Sequence, residues 1–420
     1  MTGAPARPGI VTTEHRLTVP LDHARPTGAT LELFARAVRG SDGATRPWLV
    51  FLQGGPGFEA ARPDGAHGWI GRALRDYSVL LVDQRGTGLS SPIEVETLLA
   101  LPSDDARASY LSHFRADSIV RDCELWRREL IGDQPWSVLG QSFGGFCATS
   151  YLSLAPEGLR EAYLTGGLPP LVDDAAVVYE ALLAELRSKT ERFFEAFPED
   201  LETLRRLADR ATSDAVALPR GGRMSVRQLR SIGLQLGVSD GPARLHHLLE
   251  RAFDGDRITY AFRRGLEDLS AFDTNPLYAL LHEPCYARGF ATRWAAERVL
   301  KETELEQDET TFALTGEIVL RSSFEDSDLL RPLLGTAERL AEKDDWPDLY
   351  DLERLAANEV PVTAAVYAED LFVDRDLSLA TSDLIRGARV WVTNEFEHNG
   401  LRADGERVLG RLIAMRRGEA

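Results

Sequence analysis

Five residues, Gly140-Gln141-Ser142-Phe143-Gly144, constrain this chain more than any others. They follow the apolar run Trp136 to Leu139 and precede small, helix-tolerant residues, which places the serine on a turn from strand to helix. Such a turn forces the serine backbone into a strained conformation, and a side chain at either flanking glycine would collide with the neighbouring strand or helix. Gly145 adds further room. In a chain with 35 glycines the same run also arises by chance as a tight turn bearing a solvated serine. The rest of the chain has to decide.

Short apolar runs decide much of it. Trp48 to Leu52, Ser78 to Val82, Trp136 to Leu139 and Ala162 to Thr165 each end in glycine or polar residues and are separated by helix-length segments. That pattern suits parallel strands buried on both faces. Ahead of them, Arg16 to Pro20 and Thr30 to Val38 flank a Pro26-Thr27-Gly28 turn and predict an antiparallel pair. From Asp174 to about Glu342 the pattern changes to helical periods, as in Val178 to Phe197 and Leu201 to Ala211. Strand character returns at Val360 to Tyr367 and Ala388 to Thr393, and a helix near Glu406 to Arg416 closes the chain. The expected architecture is an α/β-hydrolase fold: a mostly parallel sheet flanked by helices, with an inserted, mostly helical cap domain. Core residues are expected at 1–170 and 343–420, and the cap at 171–342.

Composition narrows the setting. The formal charge of −18 is spread along the sequence, which argues against nucleic acid or an anionic membrane as partner. Met1 to Thr13 lacks a basic segment followed by an apolar run, and no eighteen apolar residues occur together, so a cytoplasmic location is expected. Cys123, Cys147 and Cys285 show no CxxC spacing, so neither a disulfide framework nor a zinc site is expected. Cys147 should pack on the helix after the serine. The sequence leaves the oligomeric state open.

A hydrolase of this fold takes its acid from the loop after a late strand and its histidine from the loop after the last. Tyr367-Ala368-Glu369-Asp370 and Asn394-Glu395-Phe396-Glu397-His398-Asn399-Gly400 occupy those places. Ser142 is then the nucleophile, His398 the general base and later acid, and Asp370 the residue that orients the imidazole. Glu369, Asp374 and Asp376 stand close to Asp370, with Asp374 the second choice. Two backbone donors must face the developing oxyanion. Phe143 N–H is one, and Gly55, in the strand-following segment Gln53-Gly54-Gly55-Pro56-Gly57, is the other. Asp83-Gln84-Arg85-Gly86-Thr87-Gly88 follows the next strand. Its Asp and Arg are read as braces, because a phosphate loop would need a third glycine at Ser91.

Gly54-Gly55-Pro56-Gly57, Asp83 to Ser90, Gly140 to Gly145, Asp370 and Glu397-His398-Asn399-Gly400 together resemble the proline iminopeptidase (prolyl aminopeptidase) family of α/β-hydrolases. The resemblance covers about 15 to 170 and 355 to 410. One departure is Gln53, where the family pattern has histidine. The resemblance implies release of an N-terminal proline from short peptides through a covalent prolyl-enzyme ester, with no metal or other cofactor. It also implies a carboxylate, from the cap, for the substrate's free ammonium. Glu283 and Glu317 stand out because each lies in an apolar or aromatic setting. Trp294 with Glu297 forms another such pair, read as cap packing. Phe143, Leu168 and Val373 are positioned to help line a prolyl pocket.

The same triad cleaves esters and amides, so a serine esterase or a broader aminopeptidase is an alternative. A catalytically silent hydrolase-fold binding protein is a third. The complete set of serine, acid, histidine and glycines argues against it.

Overall fold

The alternating apolar runs assemble into one eight-stranded sheet. The computed structural model describes residues 8–270, 272, 274–302 and 312–420; the first seven residues of the expected core lie outside the described residues. The strands are β1 (Ile10–Pro20), β2 (Thr30–Gly40), β3 (Trp48–Leu52), β4 (Ser78–Asp83), β5 (Trp136–Gln141), β6 (Leu159–Thr165), β7 (Val362–Tyr367) and β8 (Arg389–Thr393). Their spatial order is β1-β2-β4-β3-β5-β6-β7-β8. β1 pairs antiparallel with β2, and β2 with β4; every later pairing is parallel.

Alternate residues of the central strands feed two apolar layers. Val50, Leu52, Leu80, Val82 and Val138 face one layer, while Leu49, Phe51, Val79, Leu81 and Leu139 face the other. Each such side chain, removed from water, stabilises the fold by roughly 2 kcal/mol. This two-sided burial is why the runs are continuous in sequence. β8, at the sheet edge, is less covered, and Val392 is exposed.

The chain leaves the sheet after β6 and returns at β7, its parallel neighbour. Between them, among the described residues, lie helices, a two-residue ribbon, Phe253–Asp254 with Arg257–Ile258, and an isolated bridge between Ala217 and Arg223. The first cap helix, Ala176–Ala196, buries Val178, Leu182, Leu186, Lys189 and Phe193 along one face. Pro198, at the first position of the next helix, ends that run.

From β3 the chain moves to β4 on one side, then crosses back to β5 on the other. The carboxyl ends of β3 and β5 therefore flank a topological switch point, where open α/β sheets place their ligand crevice.

Candidate active site

Ser142 sits at that switch point, at the end of β5 and directly ahead of the helix Phe143–Leu154. Its φ of 55° and ψ of −128° are unusual for a residue with a side chain, and the surrounding contacts hold it there. A Cβ on Gly140 would overlap the Gly144 carbonyl, and one on Gly144 would overlap the Leu52 carbonyl. Only glycine allows the helix to begin that close to β3. Because the helix starts at Phe143, its first amides have no helical carbonyl to bond.

The loop after β3 lies against the same turn. A Cβ on Gly54 would come within 2.9 Å of the Ser142 Cβ. Gly55 has a φ of +128°, open in practice only to glycine, and a cis bond joins it to Pro56. Gln84 Nε2 donates to the Gln53 carbonyl at 3.1 Å, tying this loop to the one after β4. Buried Asp83 accepts from the amides of Ala60 and Leu89 and pairs with Arg62 through both oxygens, at 2.8 and 2.7 Å. Fully buried Arg85 forks onto Asp122 and donates to the carbonyls of Pro20, Leu21 and His113. Both side chains are the braces expected of them.

Asp370 and His398 come from the loops after β7 and β8. His398 Nδ1 lies 3.0 and 2.8 Å from the two Asp370 oxygens. The amides of Phe372 and Val373 donate to Asp370 Oδ1 at 2.8 and 3.1 Å, and the Phe372 ring stands edge-on to the imidazole. Asp374, by contrast, caps the helix Arg375–Leu384, and Asp376 pairs with Arg375. Consecutive glycines link the pair to the serine: a Cβ on Gly166 would sit 3.2 Å from His398 Nδ1, and one on Gly167 2.5 Å from the Ser142 carbonyl oxygen. Burial pushes the His398 imidazole down. Asp370, by charge and hydrogen bond, with Glu317 and Glu397 further off, outweighs that and leaves it above its ordinary value.

Glu317 reaches this centre from the cap. Tyr278 OH donates to one of its oxygens at 2.8 Å, and His282 Nε2 lies 3.6 Å from the other. Burial pushes its carboxyl up, but the hydrogen bond and charge of His282, then His398 and Tyr278, bring it below the usual range. It lines a small recess of about 20 Å³ with Tyr179, Leu182, Leu186, Val299 and Leu371, a mostly apolar lining. A larger cap cavity of about 90 Å³ adjoins it through Leu300, Thr315 and Ile318; neither Ser142 nor His398 lines either one. Leu371, the residue after Asp370, lines the smaller recess and not the larger. An open cleft lined by Gln53, Gln141, His398 and Asn399 lies on the solvent side of the imidazole.

Glu283 has different partners from Glu317. Its two oxygens accept from the backbone amides of Ala295 and Ala296, at 3.0 and 3.2 Å, at the start of the helix Ala295–Glu302. Arg293 and Trp294, just ahead, both have positive φ, and the buried carboxylate stabilises the amides that this turn presents. Glu283 is thus engaged in holding a helix start. Glu297 is taken up by Lys301 and the Arg321 amide, and Trp294 packs on Phe324. Phe143, Leu168 and Val373 are all buried.

A family model for the alpha/beta hydrolase fold matches residues 47–213. A curated proline iminopeptidase from Aeromonas sobria is 49% identical over 414 residues, covering 97% of this chain and 97% of the relative. The chain belongs to the proline iminopeptidase family. A second curated proline iminopeptidase, from Aspergillus aculeatus, is 35% identical over 96% of this chain and 93% of its own. A solved proline iminopeptidase from Mycobacterium smegmatis aligns over 96% of this chain and 98% of its own, at 15% identity and a TM-score of 0.46. Membership rests on the two sequence relatives.

In this proline iminopeptidase family member, sequence reasoning missed Tyr278 and His282 as the partners of Glu317. Their signal was available: Tyr278, His282 and Tyr286 recur every fourth residue through one short helical stretch, and their rings pack in series. Among the described residues, His246, His247 and Glu250 come close enough together to share a cation, but they lie on a solvent-facing helix of the cap, away from Ser142. The three cysteines are free and buried, Cys147 on the helix that follows Ser142. No helix among the described residues is long and apolar enough to cross a membrane.

Proposed function

We propose that this chain is a serine exopeptidase that releases an N-terminal proline from short peptides through a prolyl-enzyme ester. Ser142 Oγ attacks the proline carbonyl carbon while His398 Nε2 takes its proton, since Nδ1–H is committed to Asp370. The resulting oxyanion accepts hydrogen bonds from Phe143 N–H and Gly55 N–H, each contributing on the order of 3 kcal/mol in the transition state. The carbon–nitrogen bond then breaks, and His398 returns the proton to the leaving amine. Water, deprotonated by the same imidazole, attacks the ester and restores the serine hydroxyl.

One observation carries the exopeptidase reading: the largely buried Glu317, its carboxyl held below the usual range, in a mostly apolar setting within electrostatic reach of His398. A carboxylate desolvated there favours a cationic group, and a free amino terminus supplies it. The apolar side chains beside Glu317 suit contact with a pyrrolidine ring, and the open cleft lined by His398 gives the leaving peptide its exit. We assign the reacting groups to the core, 1–170 and 343–420, and ammonium recognition to the cap, 171–342, with Glu317 and not Glu283 as its reader. A rate panel tests this: prolyl, alanyl and leucyl amides, N-acetylprolyl amide and short acyl esters. Fast cleavage of the free prolyl amide with loss on acetylation is expected. Equal rates for free and blocked amides remove the exopeptidase claim, and a preference for the esters makes the chain an esterase.

A further inference from the structure

The first cap helix, Ala176–Ala196, carries a lysine where its pattern calls for a hydrophobe. Lys189 falls in the series Leu182, Leu186, Lys189, Phe193 on the buried face, with its side chain only 6% exposed. A buried ammonium needs a partner, and Lys189 Nζ donates to Glu397, the residue immediately before His398. One turn further along the same helix, Arg192 reaches Glu369, the residue immediately before Asp370, at 2.8 Å, and is also held by Glu185. On the other side of the imidazole, the Ser239 amide and hydroxyl of the cap both donate to Asn399 Oδ1, at 3.0 and 2.8 Å. The cap thus grips the residues on either side of His398 and the one ahead of Asp370.

We propose that Lys189 is a positioning residue for His398, fastening the cap to the loop that bears the base and balancing the negative charge gathered around it. The charge to be balanced is considerable. Asp370 and Glu317 act on the imidazole from the β7 loop and the cap, and Glu397 acts from its own loop. Glu369 and Asp370 in turn act on Glu397. Lys189 is the buried cation in this group; Arg192 is half exposed, and solvent screens its pair with Glu369. Burial pushes the Glu397 carboxyl up, with Glu369 and Asp370 adding to the rise, and Lys189 opposes it. Without the ammonium, the charge of Glu397 acts on the imidazolium unopposed, so at pH values where Glu397 is ionised less of the neutral base remains.

The proposal rests on His398 being the base, and the experiment separates the two. The pH profile of kcat/KM on a prolyl amide is recorded for the full chain and for Lys189→Met, Lys189→Arg, Glu397→Gln, the Lys189→Met/Glu397→Gln pair and His398→Ala. Lys189→Met should move the acid limb upward by roughly one pH unit. Lys189→Arg should restore it, and the double variant should bring it back toward wild type. A purely structural lysine would lower the melting temperature or the rate and leave the limb in place; that outcome overturns the proposal. If Lys189→Met does not fold, Glu397→Gln carries the test, with a downward limb shift expected and an unmoved limb overturning the idea. If His398→Ala keeps the rate, the underlying assignment fails instead.

Discussion

Asp370 holds His398 through both carboxylate oxygens, at 3.0 and 2.8 Å from Nδ1, while two amides of its own loop fix that carboxylate from behind. An acid so anchored cannot swing away when the imidazole charges. It also raises the imidazole above its ordinary value despite burial. Since a base must be neutral to accept the serine proton, kcat/KM should fall as pH falls through a value above that of free imidazole. Asp370→Asn removes the charge and favours the wrong tautomer, so kcat should drop on the order of 10⁴-fold. A pH–rate profile on a prolyl amide checks both, and an acid limb at or below the free-imidazole value contradicts the assignment.

Ser142→Ala should abolish turnover and leave the melting temperature within about 1 °C of wild type. The φ of 55° remains a demand on whichever residue stands there, and alanine meets it at a similar cost. Members of such a triad act as a unit, so rates retained above a few percent would place the nucleophile elsewhere.

Glu317→Gln keeps the hydrogen bond from Tyr278 in outline but removes the charge that faces His282 and that the proposed recognition offers to the substrate ammonium. The expected result is a KM for prolyl amide raised roughly tenfold to a hundredfold, with kcat changed far less. N-acetylprolyl amide, which has no ammonium, should be cleaved poorly by wild type and no worse by the variant. Wild-type KM in Glu317→Gln would remove this carboxylate from recognition.

The parts of this site legible in the sequence are those that the fold places by chain order. Ser142 stood out because its turn needs glycines at both sides, and His398 and Asp370 because a post-strand loop supplies each. Asp370 separated from Asp374 only in three dimensions, where one meets an imidazole and the other caps a helix. Lys189 was legible in principle, as a lysine at a core position of a regular helical series, yet its partner is 208 residues away. Glu283 shows the opposite limit. Its apolar setting was read correctly, since it is buried, but its partners are backbone amides of Ala295 and Ala296, and no side-chain pattern reports those.

That last residue yields a discriminating prediction. Glu283→Gln replaces one acceptor oxygen by an NH₂ group that would face a backbone N–H, leaving a buried donor without a partner at the start of Ala295–Glu302. Such a loss costs about 1–3 kcal/mol, and the melting temperature should fall accordingly. Below that temperature the variant should bind prolyl amide with a KM far closer to wild type than Glu317→Gln does. Thermal melts and steady-state kinetics on the two variants, made side by side, distinguish the roles. A stable Glu283→Gln protein with a strongly raised KM would return Glu283 to the substrate and make the helix contact secondary.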